Sequence, residues 1–184
     1  MKLKLSTALV LLCFIFIGCA ITPNRQAIGT TYTSDVPPLE VEFAYQISNV
    51  KNSGNDKLLT LYTTEVRDVW VELYKINVID NKVDYFYSLE RIAHNNNFQY
   101  FGPIYFEEHQ WVKVADVTDK GWLMCGYLTR KDKWMIFIHN SYELDDAGIE
   151  RYREYQRTLK LSESDRQFID KQFANLNKAI VSIK

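Results

Sequence analysis

The chain has 184 residues, 22 basic and 23 acidic side chains, a formal charge of −1, and 47% hydrophobic residues. This length suits one domain whose core needs no covalent staples, and two domains would be crowded. A balance this close to neutral excludes nucleic acid and anionic membrane surfaces as charge-driven partners, since both call for a basic excess or patch.

At the N terminus Lys2 and Lys4 precede an apolar run from Leu5 to Ile17, which closes on Phe16-Ile17-Gly18-Cys19. The run is too short to span a bilayer comfortably and reads as a cleaved leader. These nineteen residues resemble a bacterial lipoprotein export signal, with the small Gly18 directly before the cysteine and Phe16 where leucine is usual. The resemblance implies a signal peptide over 1–18 and a lipidated Cys19. That residue would carry diacylglycerol on its sulfur and, in many bacteria, a third acyl chain such as palmitate on its new amino terminus. Each buried methylene contributes about 0.8 kcal/mol, so two or three chains anchor almost irreversibly. Ala20 follows the cysteine where an aspartate would signal retention, which implies the periplasmic face of the outer membrane; a Gram-positive host would place the domain outside its cytoplasmic membrane.

Loss of the leader removes Lys2, Lys4 and Cys13, leaving 20 basic against 23 acidic side chains. With Cys19 acylated, only Cys125 remains in the domain, so no intrachain disulfide can form. Cys125 lies within Trp122-Leu123-Met124-Cys125-Gly126-Tyr127-Leu128. It is expected as a small core hydrophobe, against the alternative of a redox or nucleophilic thiol.

Residues 19–39 are polar or small with four scattered Pro and Gly positions (Pro23, Gly29, Pro37, Pro38) and read as the lipidated cysteine plus a flexible tether. A single domain follows over 40–184. It opens with Val41, Phe43, Tyr45 and Ile47 alternating at period two, and further strands are expected at 57–66, 69–79, 83–93, 98–106, 110–117, 121–129 and 133–140. Short polar turns such as Asp119-Lys120-Gly121 and Lys131-Asp132 join them, too short for parallel crossovers, so a meander of hairpins is predicted. Val69, Val71 and Leu73 alternate with Trp70 and Tyr74, so that strand is apolar on both faces and needs two covers.

A helix is predicted from Asp146 to Lys160, with Ile149, Tyr152, Tyr155 and Leu159 on one flank. A second begins after Ser162, where Asp165 completes an acidic variant of the capping box. Its stripe runs through Ile169, Phe173, Leu176, Ile180 and Ile183. The fold class is therefore α+β: an antiparallel meander of about seven to eight strands, forming a curved sheet or partial barrel, followed by two C-terminal helices.

Motifs that carry chemistry are not found. No serine has the Gly-x-Ser-x-Gly frame, no two histidines have zinc-site spacing, and the seven glycines form no phosphate-cradling loop. No catalytic residue, metal or cofactor is therefore assigned. Glu107-Glu108-His109 is the nearest polar cluster, but only Glu107 and His109 can share a strand face, and a solvated turn is the plainer reading.

The stronger signal is aromatic, concentrated in Phe98-Gln99-Tyr100-Phe101-Gly102-Pro103-Ile104-Tyr105-Phe106. Consecutive rings in a strand use both faces, so Tyr100, Phe101, Tyr105, Phe106 and Trp111 are candidate protein-binding residues, against the alternative that they coat the core. The reading that follows is a non-enzymatic, membrane-tethered domain that binds a periplasmic protein, as inhibitor, immunity protein or envelope accessory. Two alternatives remain: a lipid or small-ligand carrier, and a hydrolase with a dispersed site around Glu107, His109 and His139. Co-purified mass would mark the carrier, and alanine substitutions at the three polar residues would test the hydrolase.

Overall fold

The computed structural model describes residues 25–47, 50–53, 58–62, 68–75, 93, 98–132, 134–158 and 160–184. The strands are β1 (Arg25–Ile28), β2 (Thr31–Asp35), β3 (Pro38–Phe43), β4 (Val50–Ser53), β5 (Leu58–Tyr62), β6 (Asp68–Lys75), β7 (Gln99–Phe106), β8 (His109–Val117), β9 (Trp122–Lys131), β10 (Trp134–Glu143) and β11 (Ile180–Ile183). The helices are α1 (Asp146–Thr158) and α2 (Glu163–Ala179). Antiparallel strands plus two helices late in the chain make the α+β class that the periodicities predict.

The strands divide between a four-stranded sheet, β1-β2-β3-β11, and a seven-stranded sheet, β4-β5-β6-β10-β9-β8-β7. The meander is thus interrupted. Hairpins link β4 to β6 and β7 to β10, but the chain leaving β6 crosses to the far edge, and β10 returns to pair with β6 from Trp134↔Lys75 to Asn140↔Val69.

Alternation along each strand gives the large sheet two apolar faces. One carries Val69, Val71, Leu73, Trp111, Leu123, Cys125, Tyr127, Ile136 and Ile138, covered by Tyr152 of α1, by Ile169, Phe173 and Leu176 of α2, and by Tyr32, Leu39, Val41 and Phe43 of the small sheet. The other carries Val112, Val114, Leu128, Met135 and Phe137, packed with Ala93 and Phe98. Two covers are present, as the doubly apolar β6 requires.

Two further expectations change, and one falls largely outside the described residues. The tether does not extend to residue 39, because 25–39 form β1, β2 and the start of β3, with Tyr32 and Leu39 buried; residues 19–24 lie outside the described residues. The second helix stops at Ala179 instead of running through Ile183. Ile180 to Ile183 become β11, whose β-branched residues suit a strand, and Lys184 and Glu40 exchange both main-chain bonds at 2.9 and 3.1 Å along the edge of β3. The strand expected at 83–93 lies outside the described residues except for Ala93, which is buried. The helix start is as read: the Ser162 hydroxyl accepts from the Asp165 N–H at 3.1 Å, and α1 begins at Asp146.

Candidate functional site

The aromatic segment divides between core and surface. Trp111 is buried, Phe106 packs edge-on against Trp111 and Tyr127 with centroids 5.9 and 5.2 Å away, and Phe101 meets Phe173 of α2 at 5.7 Å. Tyr100 packs on the opposite face of the sheet, and Tyr105 alone of the five is 63% exposed. Their strand, β7, is an outer strand, yet it is poorly suited to strand addition. Its pairing shifts between Tyr100 and Pro103, where Gly102 adopts φ 108° and Pro103 has no N–H to donate. A cleft of about 310 Å³ opens at this irregularity, lined by Tyr100, Phe101, Gly102, Tyr155, Leu161 and Arg166.

Glu107 and Glu108 form the two-residue turn between β7 and β8, exposed together with His109. His139 is elsewhere. It stands in register with Gly126 and Val114, and His109 is five positions along β8 from Val114, roughly 17 Å at the usual strand rise. The dispersed Glu107, His109 and His139 set is therefore not assembled.

His139 instead meets Glu72, which the sequence reading missed because the two lie on strands far apart in the chain. Nε2 is 3.3 Å from the Glu72 carboxylate, at ion-pair distance but off the line of a hydrogen bond. Nδ1 lies 3.3 Å from the Asn140 carbonyl, and the ring is stacked near Phe137 and Trp70 at 4.3 and 6.3 Å. With its side chain 3% exposed, His139 has no open path to a substrate. Cys125 is likewise buried, and desolvation pushes its thiol up, away from the nucleophilic thiolate. Among the described residues no three of His, Cys, Asp and Glu converge.

Two aromatic side chains reach the surface where β9 begins and β10 ends beside α2. Trp122 and Phe168, each 38% exposed, line a groove of about 580 Å³ with Ser141, Tyr142, Glu143, Leu144 and Asp145. Register builds it: Trp122 opposes Glu143, Leu123 opposes Tyr142, and Met124 opposes Ser141. Among the described residues pairing with β6 ends at Asn140↔Val69, three residues before the end of β10.

The groove walls are held from beneath. Asn140, itself buried, donates from Nδ2 to the Tyr142 hydroxyl at 3.1 Å and to the Gln172 carbonyl at 3.2 Å, while Phe168 meets Tyr142 edge-on at 6.2 Å. Trp70 donates its indole N–H to Ser141 at 3.1 Å. Thr118 and Trp122 exchange bonds across the turn, and the Leu144 N–H reaches the Gly121 carbonyl at 3.0 Å. A ring held in the way Tyr142 is held loses little rotamer entropy on binding. Residue type alone marked Trp122 as part of an apolar run; its exposure depends on standing first in β9.

Asp116, half-buried on β8 opposite Met124, adds a pH response. Burial pushes its carboxyl up from 3.8 to about 6, the Val117 N–H lowers it, and Asp119 raises it further. The folded carboxyl thus holds its proton more tightly than the unfolded one. Between about pH 4 and 6 the native state binds more protons, and stability falls as pH rises through that window. Asp116→Asn is expected to flatten this slope and add about 1 kcal/mol at pH 7, discounted for the water that still reaches the group. Urea titrations at pH 4 and 7 measure both; an unchanged pH slope refutes the assignment.

Cys19 and the 1–18 segment lie outside the described residues. Among the described residues no helix is long and apolar enough to cross a membrane. Comparison with known proteins finds no matching family model, curated protein or solved structure.

Proposed function

We propose that this chain is a lipid-anchored protein of the bacterial envelope whose domain binds another protein and performs no chemistry of its own. The observation that carries this reading is the groove of Trp122, Tyr142 and Phe168: two rings are more than a third exposed, and the third is locked by Asn140. A domain with nothing to bind gains nothing by leaving aromatic rings at a concave surface, whereas aromatics in a pocket are the usual anchors of protein interfaces. Phe16-Ile17-Gly18-Cys19 supports the anchor, and Ala20 supports the periplasmic face of the outer membrane. The non-catalytic part of the reading is supported by His139 and Cys125, the buried groups with most chemical potential, being closed off from substrate.

The docking surface proposed here is this groove, with Tyr105 of the 98–111 segment as a separate exposed point. Placing a photoreactive benzoylphenylalanine at position 122 and irradiating intact envelopes should give one specific protein adduct. Combined Trp122→Ala and Phe168→Ala substitution should lower recovery of that partner by a factor of ten or more, since anchor rings contribute about 2 kcal/mol each. Equal recovery with both rings removed, in protein that keeps its circular dichroism spectrum, would refute the proposal.

A further inference from the structure

We infer that the occupant of the Trp122–Phe168 groove is a basic segment of a partner protein, with lysine or arginine side chains alternating with apolar ones. This rests on the docking reading above and adds the chemistry of the partner. The groove combines two features that neither a neutral nor an acidic ligand would satisfy together.

The first is charge. Glu143 and Asp145 line the groove and are exposed, and no lysine or arginine stands among its described lining residues. Asp119 lies in the turn that leads into Trp122, tied to the groove by the Leu144 to Gly121 bond, and Asp146 follows Asp145 at the head of α1. Lys120, in the same turn as Asp119, is outside the lining. Asp145 spends one oxygen on the Gly148 N–H at 2.7 Å, so part of its charge serves the start of α1. The Glu143 carboxylate, by contrast, has no hydrogen bond or ion pair among the described residues and lines the groove, so it can meet a ligand.

The second is the surface between those carboxylates. Trp122 and Phe168 offer partly exposed aromatic rings to a cation, and Leu144 and Tyr142 offer apolar surface to a methylene stem. Lysine and arginine are the side chains that satisfy both demands: the stem lies on the rings while the head reaches Glu143. An acidic or phosphorylated segment would instead bring like charge to Glu143 and Asp145.

The test uses the chain purified from membranes in a neutral detergent and labelled with 5-fluorotryptophan, the Trp122 resonance being assigned by Trp122→Phe. It is titrated with three capped octapeptides, alternating leucine with lysine, with glutamine or with glutamate, and with a short N-acetylglucosamine oligomer. The leucine-lysine peptide should shift the Trp122 signal and bind at least about tenfold more tightly than the leucine-glutamate one. Raising salt from about 50 to about 300 mM should weaken it several-fold. Glu143→Gln should weaken it by roughly fivefold while leaving the leucine-glutamine peptide unchanged.

Equal binding of all three peptides at Trp122 would overturn the basic-segment inference and leave the docking reading standing. A Trp122 signal moved by no peptide, or only by the sugar or by raising the protein's own concentration, would overturn both.

Discussion

Replacing Gly126 by alanine is expected to cost about 3 kcal/mol, the upper part of the range for forcing extra volume into a packed core. Gly126 sits opposite His139 in the β9–β10 pair, and a Cβ there would run into the Ile138 carbonyl and the His139 side chain, with the His139 Cα only 2.8 Å away. Glycine here serves close approach, because the neighbouring strand presses onto the space a side chain would fill. A loss of this size is a large part of the 5–15 kcal/mol that holds a domain together. It should appear as a lower urea midpoint with an unchanged slope. Alanine at position 139 keeps the Cβ that collides, so only His139→Gly in the same molecule should relieve the clash, and because the Ile138 carbonyl and the His139 Cα remain it should restore only part of the loss. Full restoration, or no loss in the single variant, would show that the strands can move apart.

Cys19→Ala is expected to abolish acylation and normal leader cleavage, and the molecules cleaved at another bond should move from the membrane fraction to the soluble one. The anchor proposed above depends on one sulfur, and each methylene it brings to the bilayer contributes about 0.8 kcal/mol, so the loss has no partial form. The native protein should show a mass increase of two or three acyl chains on the peptide that begins at position 19. The substituted protein should keep the same fold in solution, because Cys19 precedes β1, the first described strand. A Cys19→Ala protein that still sediments with membranes, with its processing unchanged, would refute the anchor.

Local signals carried through wherever neighbouring residues decide the outcome. Ser162 and Asp165 make their cap whatever packs above them, and the alternation from Gln99 to Glu143 yields four strands joined by turns of the expected kind. Patterns shared by two structures were harder to read. Ile180 and Ile183 continue the helical stripe of Ile169, Phe173 and Leu176, and the same spacing of three also suits the two ends of a short bulged strand. The open edge of β3 chose between them. In the same way, polar residues 25–39 read as a tether until β11 and β3 gave them a sheet to join, burying Tyr32 and Leu39.

The aromatic segment teaches a related lesson about the site. Alternation correctly implied that both faces of β7 are used, but it could not tell that both faces have covers, so that Tyr100, Phe101 and Phe106 pack and only Tyr105 is openly displayed. Trp122, named in the sequence only as the first residue of an apolar run, is a groove wall because β9 begins there.

By itself the sequence determined the α+β class, the start of α2 and the hairpins of the second half, since each is written in contacts a few residues long. Tertiary structure alone decided the crossover from β6, the strand at the C terminus, the Glu72–His139 pair and the Trp122–Phe168 groove. Those depend on which strands meet and where each one ends, and such meetings are set by burial shared between segments far apart in the chain.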